Sequence, residues 1–220
     1  MPLRLPGGVV ARAFQALYHE AAWSYDAVAW GVSFGQWHDW GAAALPFLTG
    51  PRVLELGHGP GHLLAELTGR GYDVVGLDLS RQMGAQAQRR TPTARLVRAR
   101  AQAVPFAAGS FDNVLATFPT AYITAPETVT AIYHLLRPGG CLVVVPEARL
   151  GGRGPLRALV EWLYAITGQH GAADENPAAR LAFWTAALAG PGFDVRLQET
   201  RVGSSTVTVV IARRPVHPTF

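Results

Sequence analysis

The sequence predicts an α/β fold: a mostly parallel sheet with helices on both faces and an antiparallel strand at its C-terminal end. Three observations predict it. From Pro51 onward, short apolar runs alternate with helical segments, the arrangement that parallel strands need for their crossovers. A glycine loop follows the first of these runs directly and opens a helix. The chain then closes with two β-rich runs separated only by Val202-Gly203-Ser204, which makes an antiparallel hairpin.

Taken in order, Arg52 to Leu56 is the first strand, Gly61 to Thr68 starts a helix, Tyr72 to Leu77 is a strand and Ser80 to Arg89 a helix. Further strands are expected at Arg95 to Ala99, Asn113 to Phe118 and Cys141 to Val145. Between the last two, a helix from about Pro126 to Leu136 ends at Arg137-Pro138-Gly139-Gly140, where proline and glycine stop it and turn the chain. Leu156, Leu159, Val160, Leu163 and Ile166 fall at helical spacing, as do Leu181, Trp184 and Leu188 after the polar break Asp174 to Pro177, and both stripes are expected to be core. Phe193, Val195 and Leu197 alternate with polar residues, and Thr206 to Ala212 is a β-branched run.

The chain has 220 residues, 49% hydrophobic and 15% charged, enough apolar surface for a sizeable core, which excludes disorder and coiled coil. No stretch approaches the roughly 18 apolar residues of a membrane span, and no signal pattern opens the chain, so a cytoplasmic protein is expected. The single cysteine, Cys141, lies in an apolar run and reads as a small buried residue rather than a nucleophile. All 19 basic residues are arginine, which excludes lysine chemistry. Arg81, Arg89, Arg90, Arg95, Arg98 and Arg100 occur with no acid between Asp78 and Asp112; a solvated helix face and strand edge is favoured over an anion-binding stripe. No repeat divides the chain, so the expected organisation is an N-terminal aromatic lid segment over 1–50, a catalytic domain over 51–214 and a tail over 215–220.

The most informative stretch is Glu55-Leu56-Gly57-His58-Gly59-Pro60-Gly61, a strand running into a glycine loop where the backbone can approach a ligand closely. Asp78 ends the next strand, placed to accept the hydroxyls of a ribose. A dinucleotide loop reads G-x-G-x-x-G, whereas Gly57, Gly59 and Gly61 read G-x-G-x-G behind Glu55, which repels a phosphate and suits an ammonium group. Adenosine at one end and an amino acid at the other describe S-adenosylmethionine.

From Pro51 to Pro146 the chain resembles the class I S-adenosylmethionine-dependent methyltransferases, in the branch that includes the ubiquinone and menaquinone C-methyltransferases. The motifs in register are the Glu55 to Gly61 loop, Gly76-Leu77-Asp78-Leu79-Ser80 with Met83, Val104-Pro105-Phe106 leading to Ser110-Phe111-Asp112, and Leu136-Arg137-Pro138-Gly139-Gly140. The resemblance implies a Rossmann-like seven-stranded sheet with its last strand reversed. It also implies cofactor contacts from Glu55, Gly57, His58, Gly59 and Gly61, ribose contact from Asp78, adenine packing by Leu79 and Met83, and Ala101 and Gln102 along the adenine edge. Thr117 and Phe118, ending the fourth strand, complete the set. Where the family usually has an acid before that alanine, this chain has Arg100, which cannot accept a hydrogen bond from the adenine amino group.

The acceptor is less legible. Thr117-Phe118-Pro119-Thr120 lacks the Asn/Asp-Pro-Pro-aromatic signature, which argues against DNA bases and protein glutamine. Ahead of the core, Tyr18, Trp23, Tyr25, Trp30, Phe34, Trp37 and Trp40 form an aromatic segment, read either as core packing or as a lid over an apolar, aromatic or lipid-like acceptor, with peripheral membrane contact as a corollary. His19, His38 and Tyr122 are the candidate acid/base groups. No metal site is expected, because the seven histidines lack paired ligand spacing. A small-molecule methyltransferase is therefore expected. A non-catalytic S-adenosylmethionine-binding scaffold and an RNA methyltransferase are the alternatives, and the oligomeric state is not encoded legibly.

Overall fold

The computed structural model describes residues 36–149 and 176–216. Seven strands, β1 (Arg52–Leu56), β2 (Asp73–Asp78), β3 (Arg95–Arg98), β4 (Phe111–Thr117), β5 (Leu136–Arg149), β6 (Asp194–Val202) and β7 (Ser205–Arg213), form one sheet in the order β3-β2-β1-β4-β5-β7-β6. β7 runs antiparallel to both its neighbours, so it alone is reversed and the expected fold class is borne out. The helices are α1 (Trp37–Ala42), α2 (His62–Gly69), α3 (Arg81–Arg90), α4 (Pro126–Leu135) and α5 (Pro177–Leu188).

Alternation along each strand sends side chains to two cores. Leu54, Val114, Val144 and Val210 meet Ile132 of α4 and Trp184 and Leu188 of α5 on one face. Val53, Leu115, Val143 and Ile211 meet Leu64 and Leu67 of α2 on the other, together with Trp40, Ala44 and Leu45 from upstream of the sheet. Trp40 and Ala44 are wholly buried, so the domain boundary expected at residue 51 cuts through packed core. The residues expected to form the earlier part of the lid, Tyr18 to Phe34, and the stripe from Leu156 to Ile166 lie outside the described residues.

Two sequence expectations shift. The strand expected from Cys141 begins at Leu136: Leu136 pairs with Phe111, and pairing resumes at Asn113 with Cys141, so Arg137-Pro138-Gly139-Gly140 is a bulge that delays the ladder rather than a separate turn. On α5, Leu181 is 39% exposed, and the buried stripe is Arg180, Trp184 and Leu188.

Two of the motifs that carry the family resemblance hold the amino end of the sheet. The Asp112 carboxylate accepts the Arg52 N–H at 2.9 Å and pairs with Arg137 Nε at 2.6 Å. Asn113 Oδ1 accepts the Thr49 N–H at 2.7 Å, while Nδ2 donates to Thr49 O at 3.0 Å. These contacts satisfy backbone groups at the start of β1 and leave the carboxyl end of the sheet for chemistry. Cys141 is fully buried, and burial pushes its thiol up to about 11, which suits an inert core residue.

Candidate functional site

Gly57 extends the β1–β2 pairing by donating its N–H to Leu77 O at 2.7 Å, and from there the chain turns through three glycines with φ of 69°, 52° and 82°. All three need left-handed backbone, but their surroundings differ. A Cβ on Gly57 would stand 3.0 Å from the Tyr122 hydroxyl, and one on Gly61 would meet Ala87 Cβ at 2.7 Å and Cα at 2.9 Å. A Cβ on Gly59 would meet nothing within 4 Å. Gly61, expected at the cofactor, thus serves the packing of α2 on α3, and Gly59 is the glycine that borders open space.

Asp78, at the end of β2, fixes that loop. Its Oδ2 accepts the Gly59 N–H at 3.0 Å and its Oδ1 the Ser80 N–H at 2.8 Å, which leaves each oxygen a further lone pair for a hydroxyl. Ser80 in turn caps α3 by accepting the Met83 N–H at 3.3 Å. Glu55 lies beside this arrangement with 2% exposure, and its Oε2 has no hydrogen-bond partner. Burial pushes its carboxyl from the ordinary 4.5 up to about 8, and the Asp78 charge adds to the rise.

The other expected cofactor residues divide. The His58 side chain is buried against Gly76, where a Cβ would be 2.8 Å from His58 Cδ2, and its Nδ1 is 2.7 Å from Gly59 O. Burial lowers its pKa despite the opposing Asp78 charge, so the ring is neutral. Met83 and Ala101 are buried, which leaves Leu79, 49% exposed, and Gln102 as the open side chains near the expected adenine position. Arg100 is exposed, and Arg98 Nε donates to Leu79 O at 3.0 Å. Arg90 donates to Pro60 O and Arg95 pairs with Asp73, so three members of the arginine run are engaged locally.

Phe118, expected at the cofactor, turns elsewhere. It has φ 48°, the one positive value outside glycine among the described residues, and its N–H donates to Val145 O at 2.7 Å. Its ring, 7% exposed, lies 4.1 Å from that of Trp37 and 6.4 Å from that of Trp40. A left-handed phenylalanine costs roughly 1–3 kcal/mol, a cost that tends to persist where the surrounding structure serves a site. Thr117 presents its methyl group to Gly41 of α1. An aromatic wall built by α1 therefore stands at the carboxyl end of β4.

Of the acid/base candidates, Tyr122 reaches the loop, its hydroxyl 3.5 Å from Leu56 O. His38 is taken up by Glu66 of α2 at 2.8 Å, and His19 lies outside the described residues. Arg180, which the apolar periodicity passed over, is 3% exposed and pairs with Glu199, with Glu147 nearby. A polar side chain in a buried helical stripe leaves no trace in a hydrophobicity pattern.

Comparison with known proteins places these features in context. Residues 53–140 match a family model described as a methyltransferase domain. A demethylmenaquinone methyltransferase of Beutenbergia cavernae is 36% identical over 132 residues, 58% of this chain and 55% of that protein, so the match spans about half of that relative's length. A demethylmenaquinone methyltransferase of Thermus thermophilus is 30% identical over 216 residues, covering 88% of this chain and 98% of the relative. Among solved structures, a geranyl diphosphate C-methyltransferase from Streptomyces coelicolor in complex with S-adenosyl-L-homocysteine has a TM-score of 0.57 at 15% identity, over 79% of this chain and 78% of that one, a likeness of fold.

Proposed function

The chain belongs to the S-adenosylmethionine-dependent methyltransferases, and from that premise we propose that it methylates a small, apolar, quinone-like acceptor at the carboxyl end of its sheet. The observation that carries this reading is the conjunction of the Asp78-pinned glycine loop with the aromatic wall of Trp37 and Phe118 at the end of β4, backed by the buried Trp40. The names of the quinone-acting relatives support the choice of acceptor class.

The cofactor fits the residues present. The partnerless Oε2 of Glu55 is a buried acceptor that an ammonium group satisfies, and the open space over Gly59 accommodates the ligand against the backbone. Asp78 would hold the ribose with its remaining lone pairs, and Leu79 would cover adenine. Gln102 stands in for the acid that Arg100 replaces. When bound, S-adenosylmethionine supplies a methyl group already activated by its sulfonium, so the protein's task is chiefly alignment. Trp37 and Phe118 orient a flat acceptor and exclude water, while Tyr122 holds the turn after β4 against the loop. Three of the clustered arginines are spent on Pro60, Leu79 and Asp73, which counts against an RNA-binding stripe.

Calorimetry with S-adenosylmethionine, S-adenosylhomocysteine and NAD tests the cofactor half: the first two bind and NAD does not. Asp78→Ala removes hydrogen bonds to a charged acceptor, each worth about 1.5–3 kcal/mol, so affinity falls at least about tenfold. An unchanged affinity in a folded variant removes Asp78 from the site. Mass detection of a methylated product from reduced 1,4-naphthoquinone tests the acceptor half.

A further inference from the structure

A Cβ on Gly59 would meet nothing within 4 Å, because this glycine borders the open space proposed for the cofactor. Glycine has the widest backbone freedom of any residue, so in such a place its conformation has to be imposed from outside. Two side chains impose it. Asp78 Oδ2 accepts the Gly59 N–H at 3.0 Å, and His58 Nδ1 lies 2.7 Å from Gly59 O. A carbonyl oxygen only accepts, so Nδ1 carries the proton and donates it. The peptide groups before and after the Gly59 Cα are thus each held by a side chain, with φ at 52°.

The imidazole is held in turn. His58 is 5% exposed, and its ring fills the place that a side chain at position 76 would take. A Cβ on Gly76 would stand 2.8 Å from His58 Cδ2 and 3.2 Å from Cγ, with Leu96 Cδ2 at 3.0 Å as a second neighbour. Gly76 is not among the glycines with positive φ, so its backbone does not call for glycine. Glycine inside a strand weakens it, and a recurrent reason for it there is the close approach of another group. At Gly76 that group is the imidazole. Gly76 pairs with Glu55 of β1 and precedes Asp78 by two residues on β2, so Glu55, the imidazole and Asp78 stand on one face of the sheet.

Charge explains why an imidazole suits this position. An arginine could also donate to the Gly59 carbonyl, but it would set a permanent cation beside Glu55 and Asp78, where the cofactor's ammonium group is expected. Burial keeps the His58 ring neutral, so it donates without bringing a charge. Its low exposure also leaves little of the ring for a ligand to touch. We infer that His58 is a positioning residue for the cofactor: seated on Gly76, it donates a hydrogen bond to the Gly59 carbonyl and holds the glycine loop in the conformation that receives S-adenosylmethionine. The inference rests on the cofactor reading given above and adds the side chain that shapes the loop from behind.

The test is calorimetry of S-adenosylhomocysteine binding to the full chain, with a thermal melt of each variant. His58→Leu occupies much of the same space without a donor, and affinity should fall about tenfold, the effect of releasing one hydrogen bond and one glycine. His58→Asn sets an amide nitrogen where Nδ1 stands and should bind within about threefold of the wild type. Gly76→Ala drives a methyl group into the ring and should weaken binding about tenfold from behind the loop. In His58→Asn/Gly76→Ala the shorter side chain has no Cδ2, so affinity should return to that of His58→Asn alone. A His58→Leu protein that binds as the wild type does overturns the inference, as does a His58→Asn protein as weak as His58→Leu. A double variant no better than Gly76→Ala overturns it too. Affinities that merely follow the melting temperatures, with no rescue by asparagine, would mark His58 as a structural support and overturn it as well. If His58→Leu does not fold, His58→Asn and the two Gly76→Ala proteins decide the matter. If the wild-type chain does not bind S-adenosylhomocysteine, the cofactor reading falls and this inference with it; if it binds and every variant matches it, this inference alone falls.

Discussion

Glu55 is a carboxyl group placed where water does not reach it, and its protonation follows from that placement. In the folded chain it keeps its proton up to about pH 8, whereas in the unfolded chain it releases it near 4.5. Between those values the native state holds the extra proton, so the stability of the cofactor-free protein falls as pH rises through the window. Thermal unfolding between pH 5 and 8 should therefore decline more steeply for the wild type than for Glu55→Gln, which cannot titrate. Binding reverses the preference, because an ammonium group beside Glu55 favours the carboxylate. Calorimetry of S-adenosylhomocysteine at pH 7 in phosphate and in Tris should report release of about one proton per cofactor for the wild type and none for Glu55→Gln. Matching melting slopes together with a buffer-independent heat would show that Glu55 does not meet the ammonium group.

The loop joining β1 to α2 allots different tasks to glycines that look equivalent in the sequence. Gly59→Val places its side chain in open space, so beyond the backbone cost of roughly 1–2 kcal/mol the fold survives and cofactor binding is lost. Gly61→Val drives a side chain into the Ala87 backbone, and its cost of roughly 2–4 kcal/mol appears in the melting temperature instead. Circular dichroism melts and calorimetry on the pair separate the two roles; a Gly59→Val protein that binds normally would place the ligand elsewhere. The elements themselves were legible, because alternation and glycine punctuation are local: β1, β2, α3 and the β6–β7 hairpin lie within a residue or two of their expected limits. What was not legible depends on distant partners. The early start of β5 requires Phe111 to pair with Leu136 across a bulge, and the phase of α5 is set by the Glu199 and Glu147 carboxylates that hold Arg180. The turning of Phe118 towards Trp37 and Trp40 likewise follows from one left-handed residue that composition does not announce.

At the scale of the whole molecule, the question is where the catalytic domain begins. The sequence shows a dense aromatic segment before residue 51, and the structure assigns its last part to the core: Trp40 and Ala44 are fully buried, Leu45 is 7% exposed, and His38 is joined to Glu66 of α2. Removing a buried tryptophan costs about 3–5 kcal/mol, a large fraction of the 5–15 kcal/mol by which a typical domain is stable. A chain lacking residues 1–50 should therefore fail to fold or melt far below the full-length protein. A chain lacking residues 1–35 keeps α1, Trp40 and the wall with Phe118, so it should fold and bind S-adenosylhomocysteine. It loses Tyr18, Trp23, Tyr25, Trp30 and Phe34, the side chains expected to cover an apolar acceptor, and with them the exclusion of water from the transfer. Turnover of reduced 1,4-naphthoquinone should then fall sharply while the cofactor affinity changes little. Full turnover in the shorter truncation would confine the acceptor pocket to the sheet domain and α1. A longer truncation that melts like the intact chain would show that Trp40 contributes nothing to the core it occupies.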